Sequence, residues 1–158
     1  MRFRRELAYA ATPDEVFAMI ADPAFRRKVA AAQGVVSIEV TSEARDGLHL
    51  VVDQEQNTAG LPAIAKKIVG DTTRAIITED WVGHRGSYDI AAPGKPTKAT
   101  GTVAIEDDGT GTRYVLELEV SVKVPLIAGK LEKVMADQIA DGLDIEHRVG
   151  RAWLEGER

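Results

Sequence analysis

The sequence predicts an α+β protein in which about seven antiparallel strands form a curved sheet around one long C-terminal helix, with two short helices after the first strand. Three observations predict this fold. Apolar residues alternate through most of the chain, short turns separate the alternating segments, and a long helical period appears only after Pro125. Strands joined by short turns pair antiparallel. The single apolar face of such a sheet needs a cover, which only the last helix is long enough to supply.

The first strand, "FRRELAY", is followed by two short helices. The segment "TPDE" begins the first helix, because Thr12 suits the N-cap and Glu15 completes a capping box. Pro23 disfavours the helical state at the residue before it and so ends this helix. The segment "AFRRKVAAAQG" then predicts a second short helix that Gly34 closes.

After Gly34 the apolar period changes to two and largely remains there. Strands are predicted at "VVSIEVTSE", "LHLVVDQEQ", "RAIITEDWVG", "GSYDI" and on both sides of the hairpin signal "DDGTG". The insert "GLPAIAKKIVG" has helical spacing between Gly60 and Gly70. Two interpretations of it stay open, a hinged lid over a cavity and a rigid loop helix.

Length and composition fit one globular domain over residues 1–158. The net charge of −5 disfavours nucleic-acid binding, which needs clustered Lys and Arg side chains. Two small basic clusters are interpreted as solvated faces, and these are Arg2, Arg4 and Arg5 in the first strand and Arg26, Arg27 and Lys28 in the second helix.

The chain has no cysteine, and its three histidines, His49, His84 and His147, are not spaced as metal ligands. No metal and no other cofactor is therefore expected. No secretory signal and no apolar run long enough to cross a bilayer occurs, so the expected location is the cytoplasm, without stable membrane insertion. The oligomeric state stays open between a monomer and a homodimer.

The last helix carries polar residues and a glycine within its apolar arc. Gln138, Gly142 and Glu146 follow one another at a spacing of four residues along this arc. A mid-helix glycine costs about 1 kcal/mol and leaves open space, which packed interiors rarely keep. The alternatives are that Gly142 allows close approach of Trp81 or Tyr88, that Gln138 is a satisfied core amide, and that Glu146 extends outwards.

The strands also place polar side chains on the inward face, at Gln54, Gln56 and Glu79. Buried polar groups need partners, and an apolar pocket with a few convergent polar groups is typical of a small-molecule site. Of the predicted ligand contacts, Gln54, Glu79 and Gln138 would orient the polar end of the ligand. The full predicted set is Leu50, Val52, Gln54, Ile77, Glu79, Trp81, Tyr88, Leu116, Leu118, Val120, Met135, Gln138, Ile139 and Gly142.

Nearly the whole chain resembles the START-like, or helix-grip, superfamily (SRPBCC), which includes Bet v 1-like proteins, lipid-transfer domains and polyketide cyclases. The resemblance rests on "TPDEVFAMIADPAF", on "LP" before the insert, on "TEDW" and on "VKVPLIAGKLEKVMADQI". Within that superfamily, the chain is most similar to a bacterial family of unknown function. The resemblance implies the helix-grip fold and a function between ligand binding and catalysis.

The favoured function is binding of a hydrophobic small molecule, such as a lipid, an isoprenoid or a polyketide. The first alternative is a cyclase-like enzyme with Glu79 as general acid or base, because burial disfavours the charged form of a carboxyl group. In the structural alternative, Glu79 instead pairs with Arg5, which shares a face with Phe3 and Leu7. The second functional alternative is a co-chaperone-like module that binds proteins through its surface.

Overall fold

Strands and helices follow one another in the predicted order, and the structure describes residues 1–158. The strands of the computed structural model are β1 (Arg2–Tyr9), β2 (Ser37–Ala44), β3 (Leu48–Asn57), β4 (Thr72–Val82), β5 (Arg85–Ala91), β6 (Thr97–Asp107) and β7 (Thr112–Val122). The helices are α1 (Pro13–Ala21), α2 (Pro23–Ala32), α3 (Ala63–Val69) and α4 (Ala128–Leu154).

All seven strands form one antiparallel sheet in the order β1-β7-β6-β5-β4-β3-β2. Neighbours in sequence from β2 to β7 are neighbours in the sheet, and β1 pairs with β7 at the far edge. The predicted fold class, a curved antiparallel sheet with two short helices after the first strand and a long C-terminal helix, is confirmed.

Local hydrogen bonds explain where the first two helices begin. The Thr12 hydroxyl accepts a hydrogen bond from the Glu15 amide at 3.2 Å, and the Glu15 carboxylate accepts one from the Thr12 amide at 3.2 Å, so the capping box is present. Asp22 ends α1 and caps α2, because its carboxylate accepts a hydrogen bond from the Ala24 amide at 2.9 Å.

Two glycines inside neighbouring strands allow backbones to approach each other. A Cβ atom at Gly86 would lie 2.5 Å from the carbonyl oxygen of Asp80, and one at Gly101 would lie 1.8 Å from that of Glu117. No side chain fits in either place, which is how glycine permits tight curvature within a sheet. Gly101 lies opposite Tyr88 in the β5–β6 register, beside the site described below.

The long helix α4 covers the sheet unevenly. Its main contacts are with β7 and β1 and with α1 and α2. On this packed side, Gly150 lies against the ring of Tyr9, and Trp153 makes an edge contact with Phe25 at 5.5 Å between ring centroids. Space remains on the opposite flank of α4, towards β3, β4 and β5.

A second, smaller apolar cluster fixes α3 beside the beginning of α4. Ala65 of α3 is buried with Val122 and Leu131, and Leu61 and Ile68 pack against them. The predicted insert is thus a helix docked on the body of the protein. None of the four helices combines the length and the hydropathy that a bilayer crossing requires.

Candidate functional site

The main cavity of the protein lies between α4 and strands β3, β4 and β5, with α2 and α3 closing its ends. Its volume is about 380 Å³, within the range of small-molecule sites. Of the 34 residues in its wall, 20 are hydrophobic, so an occupant with a mainly apolar body fits this lining. The apolar part of the wall includes Val52, Leu61, Ala65, Ile68, Ile77, Ile90, Val134, Met135 and Ile139.

A buried cluster of charged side chains meets this cavity. The Arg26 guanidinium is 7% exposed and forms an ion pair with the fully buried Glu79, through contacts of 2.9 Å from Nη1 to Oε2 and from Nη2 to Oε1. The indole nitrogen of Trp81 donates a second hydrogen bond to Glu79 Oε1 at 3.0 Å. Arg26 Nε donates to the Ile20 carbonyl oxygen at 2.8 Å. These contacts hold both partners in place, as a buried ion pair requires.

Glu146 of α4 is the third member of the cluster and is less well satisfied. Its side chain is 9% exposed, Oε1 lies 3.8 Å from Arg26 Nη1, and Oε2 has no hydrogen-bond partner. Burial raises the pKa of Glu146 to about 7, although Arg26 lowers it, and the carboxylate of Glu79 adds to the rise. The carboxyl group is therefore close to half ionised at neutral pH.

Buried tyrosines surround the same cluster. Burial, together with the charges of Glu79 and Glu146, raises the pKa of the Tyr88 hydroxyl and of the Tyr114 hydroxyl well above the ordinary value. Tyr88 belongs to the cavity wall. Both hydroxyls therefore stay neutral at physiological pH.

The side chain of Gln33, the residue that follows α2, lies against Gly142. Gln33 Nε2 donates a hydrogen bond to the Gly142 carbonyl oxygen at 3.0 Å, and a Cβ atom at Gly142 would lie 3.2 Å from that nitrogen. The alternative in which Gly142 allows close approach of Trp81 or Tyr88 is therefore wrong, because the nearest side chain is that of Gln33. Gly142 itself still belongs to the cavity wall.

The structure brings eight of the fourteen predicted contacts to the cavity wall. They are Val52, Gln54, Ile77, Tyr88, Met135, Gln138, Ile139 and Gly142. The other six are buried away from this wall. These six are Leu50, Glu79, Trp81, Leu116, Leu118 and Val120. The three on β7 lie where α4 packs closely on the sheet, whereas Glu79 and Trp81 of β4 are covered by Arg26 of α2 and Phe17 of α1.

Three expectations about charged residues are wrong. Arg26 is not part of a solvated face, since it is buried beside Glu79. Arg5 does not pair with Glu79 but contacts Asp144 at the surface. Glu146 does not extend into solvent, because it is buried next to Arg26.

A signal for Arg26 is present in the sequence. Arg26 lies three and four residues before Val29 and Ala30, which places it on the buried stripe of α2. The basic neighbours Arg27 and Lys28 are exposed and obscure this pattern. The same spacing argument places Glu146 on the apolar arc of α4, so burial of both charges follows from periodicity alone.

The insert around α3 forms one end of the cavity. Leu61, Ala65 and Ile68 contribute to the wall, and Gly70 adopts a φ of 85°, a conformation that favours glycine. The Thr58 hydroxyl donates a hydrogen bond to the Gly70 carbonyl oxygen at 2.5 Å and closes the insert at its base. Motion of this insert as a lid stays a prediction.

No group of three or more His, Cys, Asp or Glu side chains has the arrangement of a metal site.

The antiparallel sheet and the long helix that packs on it form a helix-grip fold, which the chain shares with Ara h 8.0201. A family model described as a protein of unknown function, DUF2505, matches residues 5–154, and the chain belongs to this family. No curated protein matches the chain significantly.

Solved structures with the same fold include proteins of different kinds. TTHA0849 from Thermus thermophilus is 21% identical, with a TM-score of 0.68 over 96% of this chain and 98% of that one. Ara h 8.0201 is 14% identical, with a TM-score of 0.65 over 99% of each chain. The di-domain ARO/CYC StfQ from the steffimycin biosynthetic pathway is 13% identical, with a TM-score of 0.66 over 98% of this chain and 50% of StfQ. The chain thus spans half of StfQ, and these similarities show the fold alone.

Proposed function

We propose that the protein binds a hydrophobic small molecule, such as a lipid, an isoprenoid or a polyketide, in the cavity between α4 and strands β3 to β5. The observation that carries the proposal is the cavity of about 380 Å³ with a mainly apolar wall and a buried Arg26–Glu146 contact in that wall. An apolar pocket with a few convergent polar groups is the usual form of a ligand site.

The proposed contacts come from opposite sides of the cavity. Val52 and Ile77 of the sheet and Ile139 of α4 would hold the apolar body of the ligand. Arg26 and Glu146 would meet its polar end. StfQ, which shares this fold, is a di-domain ARO/CYC from a biosynthetic pathway. This similarity supports the proposal that the cavity binds a small molecule.

A cavity-filling substitution tests this proposal. Gly142→Leu introduces a side chain at the cavity wall, where its nearest neighbour is the flexible Gln33 amide. We expect it to weaken binding of the uncharged fluorescent probe N-phenyl-1-naphthylamine by about tenfold or more, measured by fluorescence titration.

The matched control is Gly129→Leu, which makes the same change at an exposed position of the same helix with open space around it. Both variants replace a helical glycine and so gain up to about 1 kcal/mol of helix propensity. The control should bind the probe as wild type does. Equal affinity of wild type and Gly142→Leu would contradict a site in this cavity.

An enzyme that acts on such a ligand is a second candidate, and one observation favours it. A cavity-wall carboxyl group with a pKa of about 7, that of Glu146, suits a general acid or base at neutral pH. This moves the candidate catalytic role from Glu79, which is held by Arg26 and Trp81, to Glu146. Turnover of an aromatic polyketide that survives Glu146→Gln unchanged would argue against this role.

A further inference from the structure

The charges of the buried cluster constrain the chemistry of the ligand's polar end. Arg26 directs Nε to a backbone carbonyl oxygen and both terminal nitrogens to the carboxylate of Glu79. Its positive charge is therefore already paired. Glu146 is a second carboxyl group beside this pair, at 3.8 Å from the guanidinium, which is too long for a hydrogen bond.

The cavity wall has two buried side-chain oxygens without a partner, the Thr73 hydroxyl and Oε2 of Glu146, and only the carboxyl group of Glu146 can carry a charge. Oε2 of Glu146 is buried without a partner, although Glu146 belongs to the cavity wall. Leaving a buried polar group without a partner is unfavourable, and hydrogen bonds to charged groups are the stronger ones. A ligand that brings a donor to Glu146 removes this deficit. A ligand that brings an anion would add a third negative charge to those of Glu79 and Glu146, with the single guanidinium of Arg26 to offset all three.

We propose that Glu146 selects the polar end of the ligand by accepting a hydrogen bond from a hydroxyl or ammonium group, and that the site excludes carboxylate-bearing ligands such as fatty acids. This assignment rests on the proposed function, since it presumes that the cavity binds an amphiphilic small molecule. The ligand is then an apolar chain or ring system that carries a neutral or cationic hydrogen-bond donor.

The surroundings of Glu146 make the selection dependent on pH. Arginine stays charged throughout the accessible range. Burial raises the pKa of each surrounding tyrosine hydroxyl, so the tyrosines stay neutral across the neutral pH range. The charged and titratable groups around Glu146 are Arg26 of α2, Glu79 of β4, Tyr9 of β1, Tyr88 of β5 and Tyr114 of β7.

With a pKa of about 7, Glu146 is ionised in about a tenth of the molecules at about pH 6 and in about nine tenths at about pH 8. An alkylammonium ligand keeps its charge over this range, because amines of this kind titrate near about pH 10. Its affinity should therefore rise about tenfold from pH 6 to pH 8, as the ionised form of its partner becomes the major one.

Three ligands with the same apolar chain test the assignment: decylamine, decanol and decanoate, measured by isothermal titration calorimetry. At about pH 8 we expect decylamine to bind wild type at least about tenfold more tightly than decanoate, with decanol between them. Glu146→Gln keeps the shape but removes the charge. This substitution should bring decylamine and decanoate within about threefold of each other and remove the pH dependence.

The control variant is Glu155→Gln, the same substitution at an exposed position beyond the end of α4. It should keep both the wild-type preference and the wild-type pH profile. Decanoate binding to wild type as tightly as decylamine, or a pH profile that persists in Glu146→Gln, would overturn the assignment. If none of the three ligands bound wild type, the proposed function itself would be contradicted.

Discussion

The buried carboxyl group of Glu146 predicts a stability cost that depends on pH. A glutamate has an ordinary pKa of 4.5, and burial raises that of Glu146 to about 7. Below pH 4.5 the group is protonated in the folded and unfolded states and costs nothing. As pH rises towards about 7, the unfolded state releases the proton and the folded state retains it, so folding stability is lost over this window.

The size of the effect follows from the two pKa values. At about 1.4 kcal/mol for each tenfold change in proton affinity, the full cost above pH 7 is about 3 kcal/mol. At about pH 5 less than about 1 kcal/mol of it is expressed, because the unfolded state is then only partly ionised. Glu146→Gln removes this titration. The variant should therefore gain about 2–3 kcal/mol relative to wild type between pH 5 and pH 8.

The assay is urea unfolding at about pH 5 and at about pH 8, followed by tryptophan fluorescence. Trp81 and Trp153 are the only two tryptophans and both are buried, at 1% and 5% exposure, so their signals report global unfolding. With an m-value of about 2 kcal/mol/M, the expected change corresponds to about 1 M in the urea midpoint.

The comparison between two pH values cancels any cost of the amide that does not depend on pH. Glu155→Gln, at an exposed position, serves as the control and should follow wild type at both pH values. A stability difference between Glu146→Gln and wild type that is the same at both pH values would refute the reasoning, because it would mean that Glu146 does not retain its proton in the folded state.

Two further substitutions test the packing around the site. Arg26→Met leaves buried carboxylates without their cation and should destabilise the protein by about 3–5 kcal/mol in urea unfolding, whereas Arg27→Met, the exposed neighbour, should change stability by less than about 0.5 kcal/mol. Gly150→Ala places a Cβ atom 2.9 Å from the ring of Tyr9 and should cost about 1–3 kcal/mol through overpacking, whereas Gly129→Ala, with open space around it, should be neutral or stabilising. A mild effect of Arg26→Met, or a stable Gly150→Ala, would contradict the burial described for these positions.

The fold is predictable from the sequence because its determinants are local. Alternation specifies each strand, the Thr12–Glu15 capping box specifies the start of α1, and the helical period after Pro125 specifies the long helix. Short connections then leave few ways to pair the strands. None of these signals depends on contacts between distant parts of the chain.

The location of the cavity depends on such contacts, and the sequence predicts it less completely. The apolar arc of α4 indicates the correct face of the helix, and Gly142 and Ile139 do line the cavity. Which flank of that face stays open depends on how α4 docks on β1 and β7, a relation that periodicity does not contain. Leu116 and Leu118 are therefore predicted at the cavity but lie in the packed core.

The partner of Glu79 shows the same limit. Alternation correctly indicates that Glu79 is inward-facing, and a structural ion pair is among the expectations. The cation is Arg26, which lies 53 residues away in sequence, and not Arg5. Helical spacing indicates that Arg26 is buried, but no local pattern states which strand it meets.

The central claim is that a small molecule binds between α4 and strands β3 to β5, and methyl NMR of the protein with decylamine tests it most directly. Nuclear Overhauser effects should connect the alkyl chain of the ligand with the methyl groups of Val52, Ile77 and Ile139 on opposite walls of the cavity. The absence of such effects, or contacts confined to the exposed methyl groups of Val36 and Val82, would contradict the claim.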